Sequence, residues 1–131
     1  MLDHIGLPVE NYVKSKVFYE KALAPLGISI VMEVTPEMKG GEDSAWGFGI
    51  GAKPFFWIGP GQHVGEHVHV AFAAETREQV DAFYKAAIAA GGRDNGAPGL
   101  RPHYHKDYYG AFVLDLDGHN IEAVCHTPAK S

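Results

Sequence analysis

Residues 108–124 read YYGAFVLDLDGHNIEAV. Two apolar runs are joined by Asp117-Gly118, a dipeptide that supplies the positive φ of a tight two-residue hairpin turn. With that turn at the tip, Leu114 faces Ile121, Val113 faces Glu122 and Phe112 faces Ala123. Alternation along a strand predicts an apolar face of Phe112, Leu114, Ile121 and Ala123, with Glu122 on the other side. A carboxylate in an apolar strand is costly to bury unless a cation or hydrogen-bond donors meet it. The plainer alternative is a solvated Glu on an edge strand.

The hairpin closes a unit that occurs twice. Leu2–Val9 alternates as a strand, and Asn11 caps a helix in which Val13, Val17, Phe18 and Leu23 recur at helical spacing until Pro25 and Gly27 stop it. Strands are expected at 28–34, 45–50 and 54–58. The pattern restarts with a strand at 67–73 and a helix opened by Thr76 and Gln79, a capping-box spacing, which buries Val80, Phe83, Tyr84 and Ile88. Asn95 to Pro102 reads as a loop leading to a short segment, 103–105. A shift of 65 residues lays His4 on His69, Phe18-Tyr19 on Phe83-Tyr84, and Gly27 on Gly92. The chain is therefore expected to be one domain of two β-α-β-β-β modules, about 1–62 and 66–127.

Two like units pack about a pseudo-twofold axis, so equivalent positions converge. His4 and His69 are equivalent, and Glu122 is equivalent to Trp57. Each lies on the face opposite its strand's apolar residues. Two imidazoles and a carboxylate suit Fe(II), Mn(II), Zn(II) or Ni(II), with positions left open for substrate. Any one histidine alone is more often a satisfied core or surface residue; three metal-capable groups at related inward positions make a metal site.

Composition narrows the partners. The 131 residues carry a net charge of −5 and no basic stripe, which argues against nucleic acid and anionic membrane. No apolar run reaches membrane-spanning length. The amino terminus, MLDHIGLPV, lacks the marks of a signal peptide, and the single cysteine, Cys125, excludes an internal disulfide, so a cytoplasmic location is expected. Of eight histidines, seven follow residue 60, which is where ligand or acid–base chemistry is to be sought.

DHIGLPV with FYEKAL in the next helix, the HVAFA strand and the closing DLDGHNIEAV resemble the vicinal oxygen chelate superfamily, which includes glyoxalase I, bleomycin resistance proteins, fosfomycin-resistance enzymes and extradiol dioxygenases. The resemblance implies an α+β fold in which paired βαβββ modules form an incompletely closed eight-stranded mixed barrel. It implies metal ligands at His4, His69 and Glu122, and a homodimer, in some members with a site completed across chains. Bacterial glyoxalase I has a glutamate ligand where this chain has Trp57. Extradiol dioxygenases carry a tyrosine where this chain has Phe112, although their second-shell histidine has a counterpart by count in His103.

Around the metal, Trp46, Phe48, Phe55 and Trp57 are expected on one inward wall, with Trp46 and Trp57 lining a substrate pocket. His67 shares the His69 face, and Arg101 opens RPHYHKDYY, a segment dense in groups that bind oxyanions or carry protons near neutrality. His103, His105 and Tyr109 are the acid–base or positioning candidates; His63, His119 and His126 are expected at the surface. The favoured function is a metal-dependent lyase or isomerase acting on a small molecule that chelates through adjacent oxygens. The alternatives are Fe(II)-dependent ring opening of a catechol and metal-free sequestration of a drug.

Overall fold

The computed structural model describes residues 1–35, 44–61, 65 and 68–129. The order is β1 (Ile5–Val9), α1 (Tyr12–Leu23), a 3₁₀ turn (Ala24–Leu26), β2 (Ser29–Val34), β3 (Ala45–Ile50), β4 (Lys53–Pro60), β5 (His69–Ala73), α2 (Arg77–Ala89), β6 (Arg93–Leu100), β7 (Tyr109–Leu114) and β8 (Asn120–Cys125). This is α+β, two βαβββ modules as expected. Their strands form two four-stranded mixed sheets, ordered β1-β4-β3-β2 and β5-β8-β7-β6, and the barrel is not closed. β1 and β5 lie at the edges of their sheets.

The repeat extends to strand register. In the parallel pair β1/β4, Ile5 meets Phe56 and Gly6 meets Trp57; in β5/β8, Val70 meets Ile121 and Ala71 meets Glu122. Adding 65 converts each first pair into the second.

Both helices begin where side chains satisfy free backbone N–H groups. Asn11 accepts from the Lys14 amide at 3.0 Å, and Thr76 and Gln79 form the predicted reciprocal box. The core lies between helices and sheets, and β1, β4, β5, β7 and β8 each send one face into it: Leu7 and Val9, Phe56 and Ile58, Val70 and Phe72, Ala111 and Val113, Ile121 and Ala123. Phe56 meets Phe72 edge-to-face at 5.1 Å, tying the modules together. Helix α1 buries Ser15, Phe18, Tyr19, Ala22 and Leu23, leaving Val13 and Val17 exposed. The expected stripe was displaced because Tyr19 turns inward to a buried carboxylate, Asp115.

Several expectations are corrected. The hairpin turn spans five residues, 115–119, and Leu114 pairs with Asn120, so Phe112 lies directly opposite Glu122. Asp115 decides this: its carboxylate accepts from the Asp117 and His119 amides at 2.9 and 2.8 Å, widening the loop. The one-residue shift puts Phe112 and Leu114 on the Glu122 face and moves Tyr109 away from it. His119, expected at the surface, is buried beside Asp115. Residues 93–100 form β6 despite their glycines and proline, with register breaks at Asp94/Gly96 and Gly96/Gly99. Trp46 and Phe48 face the core, opposite in β3 to Ile58 and Phe56, so they do not share a wall with Trp57.

Candidate metal centre

On the sheet face away from the helices, Glu122 is almost fully buried, at 1% exposure. Its Oε2 accepts from the Tyr108 hydroxyl, and its Oε1 lies 3.1 Å from His69 Nε2. The other ring nitrogen of His69, Nδ1, lies 3.0 Å from the Asn120 carbonyl oxygen. A carbonyl only accepts, so Nδ1 carries the proton. In the neutral imidazole, Nε2 then presents a lone pair to a carboxylate oxygen. Two lone pairs at that distance repel unless a proton or a cation lies between them. A backbone carbonyl fixing the distal nitrogen is the usual way a metal-binding histidine is oriented.

His4, immediately before β1, follows the same logic. Its Nδ1 lies 2.7 Å from Asp3 Oδ1, an oxygen that also accepts from Lys53 Nζ at 2.7 Å; among the described residues Nε2 has no hydrogen-bond partner. Lys53 and then His4 hold the Asp3 carboxyl below its ordinary range. His4 is exposed, and it lines an open depression with Gly6, Val34, Ala45 and Trp57. His4 and His69 also line a groove of ≈ 470 Å³ between β1 and β5. Within one chain, His4 does not join His69 and Glu122 at ligand spacing: among the described residues, only Asp115, Asp117 and His119 place three donor atoms within 4.8 Å of one another.

That second cluster is a hydrogen-bonded tie. Asp115 accepts from the Tyr19 hydroxyl at 2.5 Å, lies 2.8 Å from His119 Nδ1 and accepts the two turn amides. Asp117 accepts from the Glu10 amide at 2.9 Å and from Ser15 Oγ at 3.5 Å. The Asp115 oxygens already meet donors, and a cation would have to displace them. Burial first, then the Asp115 charge, raises the Tyr19 hydroxyl well above its ordinary range, so it remains a donor.

The segment between β6 and β7 covers the Glu122 face. Tyr108, which sequence reasoning missed, is the tyrosine that reaches Glu122; burial and that hydrogen bond push its hydroxyl pKa well above the ordinary value. Its parity was hidden by the hairpin register, and Asp3 was the adjacent carboxylate that the reading of His4 passed over. Tyr109 points to helix α2 instead. Its hydroxyl donates to Asp81 at 2.6 Å, and the Arg77 guanidinium lies over its ring. The Asp81 bond and burial push Tyr109 up to about 12. Arg101 lies over the Phe112 ring, whose other close neighbour is the His69 ring, stacked at 6.2 Å.

His103 and His105 are exposed on this segment. His103 packs on Tyr104, which packs on Tyr108; His105 Nδ1 accepts from the Asp107 amide. Trp57 lines the open face, whereas Trp46 stacks on Tyr12 and donates to Glu33 at 3.2 Å. His63 and His67 lie outside the described residues.

The geometry joins a wider pattern. No curated protein matches the chain. A glyoxalase/bleomycin resistance protein from Albidiferax ferrireducens is 32% identical over 95% of this chain and 98% of that one, with a TM-score of 0.74. A hypothetical protein from S. aureus is 27% identical over 93% and 94%, with a TM-score of 0.67. The fold is shared by FosX, a fosfomycin resistance protein from Listeria monocytogenes solved with Mn(II) and 1S,2S-dihydroxypropylphosphonic acid, at 20% identity over 95% and 88% and a TM-score of 0.67. The model of the glyoxalase/bleomycin resistance protein/dioxygenase superfamily matches residues 1–123, and the chain belongs to that superfamily.

Proposed function

We propose that this chain is a divalent-metal-dependent lyase or isomerase whose substrate is a small molecule with two adjacent oxygens, and that His4, His69 and Glu122 hold the ion. The observation that carries the reading is the approach of His69 Nε2 to Glu122 Oε1, 3.1 Å, with Nδ1 of the same ring held by the Asn120 carbonyl. Mn(II), Fe(II), Zn(II) and Ni(II) all suit this donor set, and FosX, a structural relative, was solved with Mn(II). Such an ion supplies Lewis acidity, stabilising negative charge that develops on the bound oxygens.

The chain's own groups do the rest. Tyr108 and Asn120 fix the ligand pair, Asp3 fixes His4, and Phe112 and Trp57 provide apolar walls. His103 and His105, imidazoles on the covering segment, move the proton. The protein works as a homodimer. The partner's His4 completes the ligand set, because His4 stands exposed on the open face of its own sheet while His69 and Glu122 already touch. Isothermal titration with Mn(II), Zn(II) and Ni(II), and anaerobically with Fe(II), tests the site. One ion per chain, lost in both His69→Ala and Glu122→Ala, is expected. Absence of binding by every ion, or undiminished binding in Glu122→Ala, contradicts the reading.

A further inference from the structure

From the surroundings of Arg101 we infer that the substrate carries a second, anionic group, a carboxylate or a phosphonate-type oxyanion, apart from its chelating oxygens. The inference rests on the metal reading and names the substrate class for that site.

Arg101 is a built feature of the Glu122 face. Its Nη2 donates to the Ala97 carbonyl at 2.8 Å, and its guanidinium lies over Phe112 at 5.5 Å from the ring centroid. Room for the fork comes from glycines. A Cβ at Gly99 would lie 3.0 Å from Nη1; one at Gly96, where φ is +147°, would lie 3.3 Å from Nη2 and 3.0 Å from the Phe112 ring. Phe112 pairs across the sheet with Glu122 and stacks on His69. The cation is therefore one ring away from the ligand pair, on the same side of the sheet.

Charge supplies the argument. Among the described residues Arg101 has no carboxylate partner; its hydrogen bonds go to the Ala97 and Leu100 carbonyls, which are neutral. A planar fork held in place with donors to spare is suited to bidentate recognition of an oxyanion. Two neutral histidines and one glutamate leave a divalent ion with a net charge of about +1, and Arg101 adds another. A chelating oxyanion with a second anionic group balances both. The plainer role, bracing the β6–β7 loop through two carbonyls, leaves the charge itself unused.

Three hydroxamates test this, since each offers the same pair of chelating oxygens: acetohydroxamate, with no second charge; succinomonohydroxamate, with a carboxylate; and phosphonoacetohydroxamate, with a phosphonate. Mn(II) is titrated first, then each hydroxamate into the Mn(II)-loaded protein. We expect at least one charged probe to bind about tenfold or more tighter than acetohydroxamate. The better of the two identifies the oxyanion. Arg101→Gln should abolish this preference without changing acetohydroxamate affinity, and Arg101→Lys should retain part of it. Equal binding of all three probes by the wild-type protein, or a preference that survives Arg101→Gln, overturns the inference and leaves the metal site standing. Failure of the wild-type protein to bind Mn(II) overturns both.

Discussion

Trp57 and Glu122 occupy matching places in the two sheets. Trp57 lies beside Gly6 of β1 and Glu122 beside Ala71 of β5, and the shift of 65 residues relates both members of the pair. On their other flanks the sizes are reversed: Gly47 meets Trp57, and Phe112 meets Glu122, again 65 apart. A Cβ on Gly47 would lie 2.9 Å from the indole, so the glycine is the room that the tryptophan needs. In the second module the short carboxylate leaves room for an aromatic ring. One backbone plan thus carries an aromatic ring in the first module and a buried carboxylate in the second.

The turns differ as well. Position 115 holds a buried carboxylate that organises a five-residue turn and anchors it to Tyr19 of the first module; the equivalent position 50 is an exposed isoleucine at a tight turn. The contrast predicts unequal costs. Asp115→Ala takes the acceptor from a buried hydroxyl and two turn amides, and should destabilise the fold by about 3–5 kcal/mol. Ile50→Ala, at a side chain 61% exposed, should stay within about 0.5 kcal/mol. Urea unfolding of both variants measures the difference, and similar midpoints would erase the asymmetry.

The size exchange can be tested by Gly47→Ala, expected to cost roughly 1–3 kcal/mol through overpacking. Pairing it with Trp57→Ala should recover about 1 kcal/mol, because the ring is one of the obstacles. Pro54, whose Cβ lies 2.8 Å from the added carbon, keeps the recovery incomplete. Strict additivity would show that the indole does not crowd Gly47.

A smaller effect sharpens the ligand side. Asp3→Ala removes the acceptor that orients His4 and should weaken Mn(II) binding about tenfold while leaving thermal stability unchanged, since Asp3 is exposed. Unchanged affinity would remove Asp3 from the account.

The smallest effect is on pH dependence. Tyr109 ionises near 12 in the folded chain and near 10 when unfolded. Its stabilising contribution is complete below pH 10 and is lost as pH rises from 10 to 12. Tyr109→Phe should flatten the alkaline decline in urea midpoint over that window; an identical slope would mean that the Asp81 bond is not maintained.

The repeat was legible because identities such as His4/His69 and Gly27/Gly92 fall at one offset, and parallel register preserves that offset. Both helix caps were legible for a local reason, since a cap acts within four residues. The hairpin register was not. Asp117-Gly118 is a strong local signal, but Asp115 accepts from Tyr19, 96 residues away, and that contact is invisible in a short window. The one-residue error then put Tyr109 on the Glu122 face, where Tyr108 is the tyrosine in contact. Trp46 was misplaced for a related reason: the alternation of β3 was joined to that of β4 without the bulge at Phe48/Gly49. The pairing of His69 with Glu122 follows from parallel neighbours in the sheet, whereas the place of His4 depends on what its open face meets.

Complementation between two defective subunits tests the proposal of a shared metal site most directly. His4→Ala and Glu122→Ala chains, each lacking tight Mn(II) binding, are mixed, dissociated and reassociated. If each site takes His4 from one chain and His69 with Glu122 from the other, every mixed dimer regains one complete site, and random reassortment restores about one ion per four chains. Wild-type affinity at that stoichiometry is the predicted result. No recovery, in mixtures shown to contain the mixed dimer, would contradict a ligand set divided between subunits.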